Sequence, residues 1–397
     1  MSSTDAEVEA MSERDAGGVR GRKAALFVCI AAFGGTLFLG GLWFTGDARK
    51  SLVQDASLSL SPKEYLQVRP LDAIALASQA AGMPAATARP LETSASWLAP
   101  LDPLITLQRA QRATAESNTT ESIRLWLSVA VLAPENRREA FSQLARLAAT
   151  PEWGIEYPVA LKAGWAASSE FVLHVCASQA TAATVLSLAF ETLKHRPLSN
   201  TAVNCVTNKA IAAGLALEAR WFWINSFPKL PATIGNVFDG SFDRTPTGNP
   251  FDWTFGTGGE FRAGFSTSIV PESTRGESKS ALSVRFNGRS VQYPVAQQTL
   301  ALIPGKYTLR YLAREAGFPA PSNVSWMVRC AGAEAIALTQ PLEQRVVDTG
   351  WTTRSAGFIV PANCTGQILR LELGSRLDLL QGLNGTLYFD EITVSRD

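Results

Sequence analysis

From Ala24 to Phe44 the chain reads AALFVCIAAFGGTLFLGGLWF without a charge, about the ~20 apolar residues a helix needs to cross ~30 Å of hydrocarbon. Arg20, Arg22 and Lys23 abut the start of this stretch, and Trp43 and Phe44 close it. The arrangement predicts an uncleaved signal anchor with the N-terminus inside and the bulk of the chain outside. A cleaved signal peptide is the competing reading; the stretch is too long for one, and Gly46-Asp47-Ala48 is a poor cleavage site. Downstream, from about Tyr65 to Phe227, Ala and Leu dominate with little period-2 alternation, which predicts successive short helices. In the segment ESIRLWLSVAVLAPENRREAFSQLARLA, Ile123, Leu127, Ala130 and Val131 keep one helical face. Pro134 then interrupts, and Phe141, Leu144, Ala145 and Ala148 continue in a second helix, so the segment reads as a hairpin.

Beyond Phe227-Pro228-Lys229-Leu230-Pro231 the pattern switches to alternation. Leu282, Val284 and Phe286 alternate with polar residues, as do Tyr307, Leu309 and Tyr311, Val324, Trp326 and Val328, and Leu369, Leu371 and Leu373. Each run buries one face. Asn287-Gly288, Pro304-Gly305 and Asn384-Gly385 read as turns, and the sum predicts an antiparallel β-sandwich of roughly eight strands. The expected class is therefore multi-domain α + β. A disordered cytoplasmic tail covers 1–22, a transmembrane helix 23–45, a linker 46–64, an α-helical domain 65–229 and a β-sandwich domain 230–397.

The chain's 36 basic and 35 acidic side chains give a formal charge of +1. That is no field for nucleic acid. His174 and His195 are the only histidines, which leaves carboxylate chemistry or none. No P-loop, G-x-S-x-G elbow, H-E-x-x-H or C-x-x-C motif occurs. Cys176 with Cys205, and Cys330 with Cys364, fall one pair to each proposed domain; two disulfides are one reading and buried free thiols the other. The tandem Trp221-Phe222-Trp223 is expected to seal the junction between helices and sandwich, with a ligand platform as the alternative.

Ala133-Pro134-Glu135-Asn136 between two amphipathic segments resembles the boundary of tetratricopeptide-like repeats, with Pro197-Leu198-Ser199-Asn200 a fainter echo; a generic helical bundle is the alternative. The ordered set DGSFDRTPTGNPFDW, QQTLALIPGKYTLRYLAR, VSWMVRC, GWTTRSAGFIVPANCTGQILRLEL and GTLYFDEITV resembles jelly-roll, galactose-binding-like carbohydrate-binding modules. The whole chain resembles tetratricopeptide-like membrane proteins of bacterial exopolysaccharide gene clusters. This implies a non-enzymatic protein of the bacterial inner membrane, single-pass, with periplasmic C-terminal domains, a polysaccharide ligand, and protein partners on the helical domain. The resemblance also implies a structural calcium ion between Asp243 and Asp390, an oxygen-donor site of the kind calcium takes; the alternative is that Asp243 caps a turn and Asp390 ends a strand.

Glycan binding needs aromatic planes with neighbouring amides. Tyr293 with Gln292 and Gln297 is the leading candidate group, followed by Trp253 and Trp351, with burial in the sandwich core the alternative for each; Trp326 is expected in the core. A carboxylate-dependent glycoside hydrolase or lyase and a purely protein-binding adaptor are the competing functions.

Overall fold

The computed structural model describes residues 71–227, 234–256, 264–271, 280–290, 294–317, 324–330, 335–338, 350–373 and 383–397, with 63, 66 and 67. The chain divides into two compact units at Ala133/Pro134, between the two helices expected as a hairpin.

In the first unit, α1 (Ala73–Ala81), α2 (Ala85–Leu98), α3 (Pro103–Ala115) and α4 (Thr119–Leu132) are short, and α1, α3 and α4 carry side-chain N-caps. Asp72 accepts from the backbone N–H of Ile74 and Ala75 at 3.0 Å. Asp102 does the same for Leu104 and Ile105, with Pro103 at the first helical position, where its missing N–H costs nothing. Arg112 ties three helices together, donating to Glu92 at 2.6 Å and to the Ala80 carbonyl at 2.8 Å. On α4, Ile123, Leu127 and Ala130 are buried as the period requires, whereas Val131 is 41% exposed, one residue off the face.

The second unit begins with α5 (Arg137–Leu147), α6 (Trp153–Lys162), α7 (Ser168–Ala177), α8 (Ala182–Leu193), α9 (Asn200–Ala212) and α10 (Ala216–Asn225). Cys176 on α7 and Cys205 on α9 form a disulfide. The longest helices described, α2 and α4, have 14 residues, about 21 Å at 1.5 Å per residue. No helix among the described residues is long and apolar enough to cross a membrane. This corrects the expected placement as a single-pass inner-membrane protein with periplasmic domains; the stretch Ala24 to Phe44 lies outside the described residues.

The sandwich follows. Its front sheet has the order β1-β4-β9-β6-β7, and its back sheet β2-β3-β10-β5-β8. The front strands are β1 (Thr254–Phe255), β4 (Ala296–Leu300), β9 (Gln367–Leu373), β6 (Val324–Cys330) and β7 (Ala335–Leu338). The back strands are β2 (Phe265–Pro271), β3 (Ser280–Asn287), β10 (Asn384–Arg396), β5 (Gly305–Ala316) and β8 (Thr352–Val360). Ten strands are thus described where eight were expected, because two-residue β1 and four-residue β7 are too short to show alternation. The core between the sheets holds Leu282, Val284, Phe286, Tyr307, Leu309, Tyr311, Val324, Trp326, Val328, Leu369 and Leu371. The alternating runs therefore point where their period put them. Asn384-Gly385 is no turn: it opens β10, with Asn384 opposite Asn287 and Gly385 opposite Phe286.

Two features fix the sandwich's ends. The Cys330–Cys364 disulfide joins the end of β6 to the loop before β9. At the opening loop, the Gly240 carbonyl accepts from the Ile392 N–H at 2.9 Å, beside a register slip in β10 where Glu391 has φ 49°. A Cβ on Gly240 would lie 1.9 Å from the Ile392 carbonyl oxygen, so only glycine fits there.

The aromatic tandem divides its labour. Trp223 packs edge-on against Phe238 at 4.9 Å and tilted against Phe251 at 5.8 Å, joining α10 to the start of the sandwich. Phe222 packs on Phe190 of α8, and Trp221 is exposed.

Candidate functional site

With Val324, Trp326 and Val328 in the core, alternation turns Ser325, Met327 and Arg329 of β6 outward, and likewise Gln297 and Thr299 of β4 and Ile368, Arg370 and Glu372 of β9. Register lines these up across the sheet: Gln297 is opposite Arg370, Arg370 opposite Met327, and Glu372 opposite Ser325. Hydrogen bonds then join them into one row. Arg370 donates from Nε to Gln297 Oε1 at 3.1 Å and from Nη1 to Glu372 Oε1 at 3.3 Å. Arg329 donates from Nη2 to Glu372 Oε2 at 3.0 Å.

Part of this outer face is withdrawn from solvent. Ser325 is 1% exposed, Met327 8% and Glu372 9%, although all three point away from the core. Ser325 Oγ has no hydrogen-bond partner among the described residues. The face thus carries an amide and two partly exposed guanidinium planes whose positions are set by one carboxylate, with the Met327 thioether buried beside them.

Of the residues anticipated from the sequence, Gln297 belongs to this row. Gln292 and Tyr293 lie outside the described residues. Trp253 is 1% exposed in the core; it packs on Phe242 and Trp326 and donates from its indole N–H to the Asp239 carbonyl, so it presents no plane to a ligand. Trp351 immediately precedes β8 of the back sheet, where the Arg314 guanidinium sits 5.6 Å from its ring centre and 4.3 Å from that of Tyr388. Arg329, Arg370 and Glu372 were not anticipated. Their signal is only that each is the polar alternate in an apolar run.

The opening loop holds three carboxylates. Asp239 accepts from the N–H groups of Asp243 and Arg244 at 3.1 Å, and Ser241 Oγ donates to Asp243 Oδ2 at 3.0 Å. Asp252 takes the Thr247 N–H and hydroxyl on one oxygen and the Trp253 N–H on the other. Burial, with Asp252 and Asp243 nearby, pushes the Asp239 carboxyl up to about 6. Both oxygens of Asp239 and of Asp252 are thus committed to the loop's own donors, the pattern of a loop staple and not of an acid–base pair facing a substrate.

Asp390 is fully buried, with Oδ1 accepting from the Glu391 N–H at 2.7 Å. Asp243 is exposed. The Gly240 to Ile392 hydrogen bond lays the loop that carries Asp243 along the strand that carries Asp390. Among the described residues no group of three His, Cys, Asp or Glu side chains is placed to hold a metal ion; the donors at hand are two carboxylates plus loop carbonyls. These are the oxygens calcium prefers, and a site here needs carbonyl or water oxygens to complete six or more.

The helical part of the second unit has its own concavity, a cleft of about 830 Å³ between α5, α6, α7 and α8, lined by Trp153, Tyr157, Leu188 and Glu191 among others. Trp153 stacks on Tyr157 at 4.5 Å, and the Tyr157 hydroxyl is 2.7 Å from Thr192 Oγ1. Burial pushes the Tyr157 phenol well above its ordinary range.

No family model matches the chain, and no curated protein matches it. The C-terminal β-sandwich resembles carbohydrate-binding modules at low identity. A solved CBM4 structure is 17% identical over 41% of this chain and 99% of that one, with a TM-score of 0.30. The CBM22-1 xylan-binding domain of Paenibacillus barcinonensis Xyn10C is 15% identical over 42% of this chain and 97% of that one, at 0.28. TmCBM61, solved with β-1,4-galactotriose, is 10% identical over 34% of this chain and 87% of that one, at 0.22.

Proposed function

We propose that this is a non-enzymatic polysaccharide-binding protein whose β-sandwich takes a glycan on the outer face of its front sheet. The observation that carries this reading is the bonded row Gln297–Arg370–Glu372–Arg329 on the outer face of the front sheet. Among the described elements no helix or second sheet packs on this face, so nothing described there calls for a carboxylate held by two guanidinium groups. A sugar ring does have a use for it, since its hydroxyls pair with fixed planar donors. The commitment of Asp239 and Asp252 to loop donors supports binding over hydrolysis. On this reading the helical segments act as a scaffold whose cleft lined by Trp153 and Tyr157 receives a protein partner. The setting in exopolysaccharide assembly or export is the one implied by the resemblance of the whole sequence.

Affinity electrophoresis of the full chain through gels containing single polysaccharides tests the reading. Retardation by at least one polymer, lost on Arg370→Ala, is expected. A chain that migrates unretarded through every polymer overturns it. Calcium at Asp243 and Asp390 belongs to the same proposal as a structural ion: chelation is expected to lower the Tm of the wild type and to leave an Asp390→Asn variant unchanged, and equal Tm values with and without chelator for the wild type reject the ion.

A further inference from the structure

We propose that the glycan taken by the front sheet carries carboxylate groups, as a uronic-acid polysaccharide does; this rests on the glycan-binding reading above. The five front strands contain three charged residues, Arg329, Arg370 and Glu372, two positive and one negative, so the charges on these strands sum to one positive. The order of depth is equally informative. Side-chain exposure is 38% for Arg329 and 28% for Arg370 against 11% for Glu372, so an arriving ligand meets guanidinium first and the carboxylate lies beneath.

The hydrogen-bonding valences left over point the same way. Each oxygen of Glu372 already accepts from one arginine, and Gln297 Oε1 already accepts from Arg370. Gln297 retains its amide NH2 and a second lone pair on Oε1. Of the five N–H groups on each guanidinium, the bonds among the described residues employ those of Nε and Nη1 on Arg370 and of Nη2 on Arg329. The row therefore presents mostly donors. A neutral sugar hydroxyl both donates and accepts, and the donors here outnumber the acceptors that remain on Ser325 Oγ and the Glu372 and Gln297 oxygens. A carboxylate only accepts, and its two parallel oxygens match the guanidinium fork. It also supplies the missing negative charge.

Polygalacturonate and its fully methyl-esterified form test this directly, because they share a backbone and differ in charge. Full-length wild type is expected to bind the acid form about tenfold more tightly at 0.15 M NaCl, with the gap closing near 1 M as screening shortens from ~8 Å to ~3 Å. Arg329→Gln and Arg370→Gln are each expected to reduce the preference, and Glu372→Gln, which removes the internal competitor for both guanidinium groups, to increase it. Thermal unfolding of each variant identifies any that fails to fold, and the wild-type comparison needs no variant. Equal wild-type affinity for acid and ester overturns the carboxylate proposal while leaving glycan binding intact. Retardation by no polysaccharide, charged or neutral, overturns both.

Discussion

The two sheets of the sandwich share a core but treat their outer faces differently. The back strands carry nine charged residues, and those such as Arg285, Lys306, Arg310 and Arg396 stand exposed in water. The front strands carry three, drawn into one bonded row. Scattered surface charge contributes solubility and little else. Charge that is scarce, joined and half withdrawn from solvent is expensive to place. The lesson is that the number of charges on a face says less than their connection and depth.

The largest expected effect comes from removing what pins the front sheet. The Cys330–Cys364 disulfide spans 34 residues, and replacing both cysteines by serine is expected to cost about 3 kcal/mol of unfolding free energy in urea titration. A loss below about 1 kcal/mol would show that the front sheet is held without it. Next, Glu372→Ala leaves two guanidinium groups facing one another. Its cost is expected to be about 2 kcal/mol, below the figure for a fully buried pair because Arg329 is 38% exposed. Arg310→Ala on the back sheet is expected to change stability by less than about 0.5 kcal/mol; equal costs for the two would erase the contrast between the faces.

A smaller effect, in binding, separates the sheets by function. Gln297→Ala is expected to weaken polysaccharide retention about tenfold, whereas Trp351→Ala at the back sheet changes it by less than about twofold. The reverse order would move the site to the back face. The smallest effect belongs to the opening loop. Asp239 is raised in the folded state to about 6 from 3.8, so its neutral form is the one the fold favours. The stability it contributes is fully present below about pH 3.8 and is lost as pH rises through about 6. Asp239→Asn should therefore flatten the difference in urea midpoint between pH 4 and pH 7, and an unchanged pH profile would assign that difference to another group.

The strand content was legible because period-2 alternation is a local property. Leu282, Val284 and Phe286 declare an inward face whatever their partners are. Pairing is not local. Arg370 and Arg329 stand 41 positions apart, and nothing in either run says that β9 lies between β4 and β6, so the row they form with Glu372 was invisible. Gln297 was found for its amide beside an aromatic, and only the register of β4 against β9 gives it Arg370 as a partner. Trp253 shows the same limit: a lone aromatic outside any alternating run carries no sign of facing, and the contacts with Phe242 and Trp326 that settle its burial come from distant segments. Asn384-Gly385 looks like a turn by composition, yet both residues pair within β10, where tertiary register overrides the dipeptide's local preference.

The place of β10 has a consequence for biosynthesis. The strand is hydrogen-bonded to both β3 and β5 at the middle of the back sheet, yet it follows every other strand of the sandwich in sequence. A ribosome that has released residues 234–383 has therefore delivered a front sheet whose Cys330 and Cys364 are both available to oxidise, but only the two flanks of the back one. Commitment to the native sandwich waits for the final dozen or so residues of β10. Until then the exposed margins of β3 and β5 are the surfaces a chaperone would need to shield.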